Sequence, residues 1–346
     1  MDDAHSMPTL ADADVDQLVS VVMPAFNAAP WIADAVTSIL KQSYQHLELL
    51  IVDDGSTDDT VKIVSNIDDP RIQLFRPGRL GFVNALAFGI RRARGKWVAR
   101  MDADDISHPY RLDFQIEALN EQKDSVMCGT GFGYITPGGY IVQRHSLGKN
   151  RNLTAELITL REKRFADATL VFHRQTALDV GLYDADIEHN ELSLWYKLLA
   201  KGRGVELGRC TYFQRIHHGG MNIGQDRASR DSVTARNRYD SCHGEQILKI
   251  TSKKEIYRRQ LKGIRRKIYI CRAAGDYFGL GKLLFHIVLK SPLSLVLRAV
   301  LYACTGRESI RLRITSAKRE KTECRRFEPE NEQVLDFLHS YGLKIA

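Results

Sequence analysis

Three short apolar runs constrain this chain most, because each stops at a polar cluster of a particular kind. Val19–Met23 runs into Pro24-Ala25-Phe26-Asn27, Leu47–Val52 into Asp53-Asp54-Gly55-Ser56-Thr57, and Trp97–Met101 into Asp102-Ala103-Asp104-Asp105. Apolar runs of this length, bounded by turn residues, read as buried strands. Between them the apolar spacing is helical. Trp31–Leu40 forms one such segment, a second starts at Thr57 as N-cap and ends at Val64, and Gly81–Arg94 is a third. Ile72–Phe75 supplies a further short strand. Strand and helix alternate, so the N-terminal part is expected to be α/β, with a Rossmann-like, largely parallel sheet. Ligands bind beyond the carboxyl ends of such strands. Asn27, Asp53, Asp54 and the 102–105 cluster all fall there.

Asp102, Asp104 and Asp105 at one strand end repel one another, an arrangement that calls for a cation or a set of donors. The Asp-x-Asp spacing suits one hard divalent ion that also bridges a diphosphate. Taken alone, Asp-x-Asp is more often a cap-and-turn cluster; the strand context and the upstream Asp53-Asp54 favour the ion. Asp105 reads as a group behind the ion or as a helix cap. Arg100 and Arg111 bracket the cluster and balance its charge.

Downstream, Gly129–Gly148 is glycine- and β-rich and reads as a hairpin. Leu153–Lys163, Gln175–Val180 and Glu191–Ala200 read as helices, and Leu170–His173 and Tyr212–Ile216 as strands. Six scattered cysteines (128, 210, 242, 271, 304, 324) with no C-x-x-C pair read as reduced thiols. Met1–Gln17 is acidic and polar, with no basic or apolar region of a secretory signal.

In order and spacing, these motifs resemble the family 2 inverting glycosyltransferases over roughly residues 18–222. The likeness rests on Val19–Asn27, on Leu50–Thr60, and on Arg100–Asp105 with Pro109 and Arg111-Leu112 behind it. Gly181-Leu182-Tyr183-Asp184, Glu191 with Leu194-Trp195, and Arg215-Ile216-His217 are weaker landmarks. The resemblance implies a GT-A fold, a nucleotide-sugar donor and Mn²⁺ or Mg²⁺. It implies Asp54, with Asp53 nearby, at the nucleobase edge, where a carboxylate accepting from an imide N–H favours uracil. Pro24 and Phe26 would wall the base, although Phe26 reads equally well as core, and Asn27 belongs to the same donor site. Asp104 would ligate the metal directly, and Asp102 the ribose or the ion through water. Glu191 would take the acceptor proton, against the simpler reading of a carboxylate stabilising a helix start. His217 would touch metal or diphosphate, with Arg215 as a phosphate partner.

The sequence also departs from the family pattern. The usual Arg and Asn of the helix after the third strand are Leu86 and Ala87, and a second Asp after the base is Ser193. These keep open a membrane- or nucleic-acid-binding protein with a degenerate catalytic domain. A sugar-nucleotide nucleotidyltransferase is a further alternative. It would want a glycine-rich basic loop after the first strand, where Pro24–Asn27 stands instead.

Charge divides the chain. Lys249–Arg326 holds 21 Lys/Arg against five Asp/Glu, +16, which leaves −8 for the rest of a chain whose net charge is +8. Tyr257, Leu261, Ile264, Ile268 and Cys271 form an apolar stripe among basic residues, the pattern of a basic amphipathic helix. Leu280–Tyr302 is more apolar, but Lys290, Pro292 and Arg298 interrupt it, so it reads as interfacial rather than spanning. The expected organisation is therefore a tail (1–16), a nucleotide-sugar-binding half (17–130), an acceptor and catalytic-base half (131–240), and a basic helical C-terminal region (241–346). An anionic membrane surface fits that region better than nucleic acid, for which it has no recognised motif. The expected setting is cytoplasmic, peripheral on the inner face of the plasma membrane, with a glycan or polyprenyl-linked acceptor.

Overall fold

The structure is a computed structural model that describes residues 17–138, 140–145, 150–153, 165–184, 192–217 and 344–345. They fall into two compact units. The first holds described residues within 17–133 and 143–214, the second those within 134–142, 215–217 and 344–345. The expected helix over Leu153–Lys163 beyond its first residue, Glu191, and the basic C-terminal stripe lie outside the described residues; Leu153 itself ends a strand.

The first unit is built on β1 (Val19–Ala25), β2 (Leu47–Asp53), β3 (Ile72–Phe75) and β4 (Trp97–Arg100), all mutually parallel, in the spatial order β4-β1-β2-β3. β1 and β2 are buried along their whole length, as apolar runs between two helical layers must be. Their crossovers are helices α1 (Ile32–Leu40), α2 (Thr60–Ser65) and α3 (Phe82–Arg92). Pro24 was expected to end β1, yet the strand continues to Ala25. The reason is register. β4 pairing stops at Val22↔Arg100, and Pro24 would donate on that same side, so its missing N–H removes no rung.

Beyond Arg100 the chain forms β5 (Ile106–Ser107) and α4 (Arg111–Glu121). Further strands are β6 (Ser125–Ile135), β7 (Tyr140–His145), β8 (Arg151–Leu153), β9 (Val171–His173) and β10 (Arg203–Arg215). β9 inserts antiparallel beside β4 and also pairs with β6. β10 runs antiparallel to β5 and β8, and is much longer than the expected Tyr212–Ile216 strand. Helices α5 (Arg174–Asp179) and α6 (Leu192–Leu199) follow the expected pattern. The core gathers Val22, Leu50, Leu86, Val98, Phe172 and Trp195, with Trp195 stacked on Phe165 at 4.9 Å.

One close approach fixes α3 on the sheet. A Cβ on Gly89 would lie 2.5 Å from Val22 Cγ1 and 3.2 Å from Val52 Cγ2, so only glycine lets the helix settle there. The amino ends of the strands are joined by a carboxylate. Glu48, 2% exposed, accepts from Ser20 Oγ (2.6 Å), Arg94 N (2.8 Å), Arg94 Nε (2.9 Å) and Gln73 Nε2 (2.9 Å). In the second unit, β11 (Lys344–Ile345) pairs parallel with Tyr140-Ile141 of β7, and Ile216 N–H donates to Ile135 O at 2.8 Å. No helix among the described residues is long and apolar enough to cross a membrane.

Candidate active site

The register Ala25↔Asp53 and Val22↔Arg100 brings the exits of β1, β2 and β4 to one edge. The first two exits are stitched together. Asn27 adopts φ +49°, a conformation Asn tolerates better than most residues. Its N–H donates to Ser56 Oγ (2.9 Å) and its Oδ1 accepts from Thr57 N–H (2.8 Å). Ala28 N–H donates to Thr60 Oγ1, and Ala29 N–H to Asp58 Oδ2. Thr57 therefore does not cap a helix as expected. Asn27 engages it from across the edge, and α2 starts three residues later, where Asp58 Oδ1 accepts from Thr60 N–H at 3.0 Å.

Pro24, Asp53 and Asp54 are buried, whereas Phe26 stands 45% exposed. That exposure removes the core reading of Phe26. Asp53 Oδ1 accepts from Ser56 N–H at 3.2 Å. Asp54 Oδ1 accepts from Leu80 N–H (2.5 Å) and Gly81 N–H (2.9 Å), while Oδ2 faces Arg79 Nη1 at 3.2 Å. Asp54 thus anchors the loop that leads into α3.

The acidic cluster rests on two buried guanidiniums. Arg100 Nη2 donates to Asp102 Oδ1 at 2.9 Å. Arg111, fully buried, donates to Arg100 O (2.8 Å) and Gln115 Oε1 (3.0 Å), and its Cζ lies 5.0 Å from the centre of the Tyr212 ring. Burial lowers the Arg111 pKa to about 10, so it stays cationic at neutral pH. Asp102 N–H donates to Tyr212 Oη at 3.1 Å, which ties the loop to β10. Burial, then the charges of Asp105 and Asp102, push the Tyr212 phenol well above its ordinary range, and it stays protonated. Below the cluster, Gln42 Nε2 donates to His108 O and Ser107 Oγ, and its Oε1 accepts from Leu112 N–H, so the segment just after α1 clamps the chain leaving the loop. Asp105 caps no helix: the residue preceding α4 is Tyr110, whose N–H donates to His108 Nδ1.

Asp102 and Asp104 keep partial solvent access, while Asp105 is 3% exposed. Burial raises the Asp102 pKa; Arg100 opposes this, and Asp104 and Asp167 add to it. Crowded hard oxygens in a negative field fit a divalent ion. Among the described residues no three His, Cys, Asp or Glu groups form a ready-made cage. Asp167 carried no sequence signal; it sits on a single 3₁₀ turn, Asp167–Thr169, ahead of β9. Arg79 was likewise unsignalled. Arg215 and His217 belong to the second unit, where Arg215 Nη1 donates to Pro137 O at 3.1 Å.

A parallel sheet with an acidic strand exit and an antiparallel insertion defines a GT-A fold. The mannosyltransferase PcManGT of Pyrobaculum calidifontis shares it at a TM-score of 0.52 and 15% identity, over 84% of this chain and 88% of that one. Residues 20–189, just under half of the chain, match the family model of glycosyl transferase family 2. An uncharacterized glycosyltransferase of Rickettsia typhi is 29% identical over 188 residues, 53% of this chain and 58% of its own. One from Haemophilus influenzae is 43% identical over 112 residues, 32% of this chain and 34% of its own. The match thus spans little more than half the length of the first relative and about a third of the second.

Proposed function

We propose that this chain is a metal-dependent inverting glycosyltransferase. It would move a sugar from a nucleotide sugar, UDP-linked in the first instance, to a hydroxyl of a lipid-linked or polysaccharide acceptor. One observation carries this reading: Asp53-Asp54 and Asp102–Asp105 leave parallel strands on either side of β1 and reach the same edge. The mannosyltransferase with the same fold holds GDP-Man and Mn²⁺ in its structure.

In this reading Pro24, Phe26 and Asn27 line the donor site with Asp53 and Asp54, while Asp102 and Asp104 hold Mn²⁺ or Mg²⁺. Bound there, the ion supplies Lewis-acid stabilisation of the charge gathering on the departing diphosphate. Asp102, held by Arg100 and Tyr212, is pre-oriented for that task. Glu191 removes the proton of the acceptor hydroxyl as its oxygen bonds the anomeric carbon from the face opposite the leaving group. The bond from that carbon to the diphosphate breaks, and its electron pair leaves with the nucleoside diphosphate. Arg215 and His217 are assigned to the diphosphate, His217 also to the ion, and the basic 241–346 region to an anionic membrane surface on the cytoplasmic side.

The test is nucleoside diphosphate release from a panel of nucleotide sugars with Mn²⁺ or Mg²⁺ and with chelator. Metal-dependent release that Glu191→Gln abolishes, while nucleotide binding persists, is the expected result. Release unaffected by chelator, or a panel in which no donor is bound or cleaved, overturns the reading.

A further inference from the structure

Strand β10 runs toward the acidic loop. It is antiparallel to β5 with the register Tyr212↔Ser107 and Phe213↔Ile106, so the next residue, Gln214, comes level with Asp105. Side chains alternate along a strand, which puts Gln214 on the same face as Tyr212. That face meets the loop: Tyr212 Oη accepts from Asp102 N–H at 3.1 Å, and the charges of Asp105 and Asp102 act on the Tyr212 phenol. Gln214 and the loop belong to the same compact unit.

Gln214 is 7% exposed, and its carbonyl Oε1 is buried with no hydrogen-bond partner among the described residues. Buried carbonyls are nearly always satisfied, because an unmet one forfeits its hydration without return. The preceding residues on β10 make the contrast. Thr211 Oγ1 donates to Thr130 Oγ1 at 2.9 Å, and Tyr212 accepts from the loop. The side chains of the acidic loop do not meet the need, since an ionised carboxylate only accepts. Gln214 thus brings to the loop an acceptor that carries no charge and calls for an O–H or N–H donor.

We propose that Gln214 Oε1 accepts a hydrogen bond from a hydroxyl of the sugar that is transferred. This rests on the reading that the edge binds a nucleotide sugar. The order of elements along the edge supports it. Asp53-Asp54 leave β2 on one side of β1 and Asp102–Asp105 leave β4 on the other, and β10 is reached from that loop through β5. A nucleotide sugar has a matching order: base, diphosphate, sugar. With the base at the β2 exit and the ion-bound diphosphate at the β4 exit, the sugar falls toward β10. A sugar presents hydroxyl donors, and an acceptor fixed on a strand selects the position of one of them. Gln214 is a specificity-determining residue and takes no part in the bond changes at the anomeric carbon.

The experiment is calorimetric binding to the full chain, with Mn²⁺ present, of matched pairs: UDP with UDP-glucose, UDP with UDP-N-acetylglucosamine, and GDP with GDP-mannose. Gln214→Met is close in length and volume and removes the acceptor. For the pair that the wild-type chain binds best, the variant is expected to weaken the nucleotide sugar by about tenfold and to leave the bare nucleoside diphosphate within about twofold. Its thermal midpoint without ligand is expected to hold or rise, because an apolar group replaces an unmet polar one. The ratio of the two affinities is independent of the fraction of folded protein, so partial misfolding of the variant does not obscure it. An unchanged ratio overturns the proposal. If both affinities fall together, the carbonyl serves the ion or the diphosphate; if neither falls and the midpoint drops, it is satisfied within the fold. A wild-type chain that binds none of these ligands takes down the transferase reading as well, and the two failures are thereby told apart.

Discussion

The two ends of the central sheet treat buried acid in opposite ways. At the amino end Glu48 is enclosed, and four donors from Ser20, Gln73 and Arg94 close around its two oxygens. At the carboxyl end Asp102 pairs with Arg100, yet burial, with Asp104 and Asp167 nearby, pushes its pKa up. A carboxyl group whose folded pKa is raised binds more protons folded than unfolded. Its contribution therefore weakens folding as pH rises from the unfolded pKa through the folded one, unless a cation relieves it. The amino end uses charge to hold strands together, whereas the carboxyl end crowds like charges around Asp102.

Glu48→Ala should have the largest effect. It strips four donors of their acceptor and should destabilise the domain by on the order of 3 kcal/mol, read as a fall in the denaturation midpoint. Asp104→Asn should cut metal-dependent nucleoside diphosphate release by about 10²–10³-fold while leaving the thermal midpoint unchanged or higher. If Asp104→Asn instead unfolds the domain and spares turnover, the contrast between the two ends is wrong. Tyr212→Phe removes the acceptor of Asp102 N–H and should destabilise by about 1 kcal/mol, with a modest loss of turnover.

The smallest effect concerns pH. His173, paired with Trp97 at the amino end, has its pKa lowered by burial and by Lys96, and its Nδ1 accepts from Thr176 N–H at 3.3 Å. The unfolded chain binds that proton more readily, so stability should be fully present above about pH 6.5 and decline as pH falls through the lowered folded value. His173→Asn keeps a cap acceptor and should flatten that acid-side slope in denaturant titrations. An unchanged slope would assign the effect to other groups.

Much of this was legible in the residues. β1, β2 and β4 were visible because buried parallel strands are continuously apolar, and the acids at their ends followed from the order of motifs. Other features were not. Arg203–Cys210 breaks up Val205 and Leu207 with charges and two glycines, so the first half of β10 had no apolar run to mark it. Arg111 reads as a surface cation, and nothing in the sequence says that it is fully buried beneath the acidic loop. Thr57 looks like a cap until Asn27, thirty residues away, is seen to occupy it. Arg79 lies between two glycines in a loop, and the groups that hold it are Phe26 and Asp54, which only folding brings to it.

Gly89 has a consequence that reaches past its own contacts. The separation between α3 and the sheet is set there by the absence of one methyl group, since Val22 Cγ1 already occupies the space it would need. The same helix begins at Phe82, directly after the segment that Asp54 holds. Any side chain at position 89 would lever the helix outward and drag its leading turn with it, so the seating of the segment that Asp54 holds is governed from beneath, by an atom that is not there.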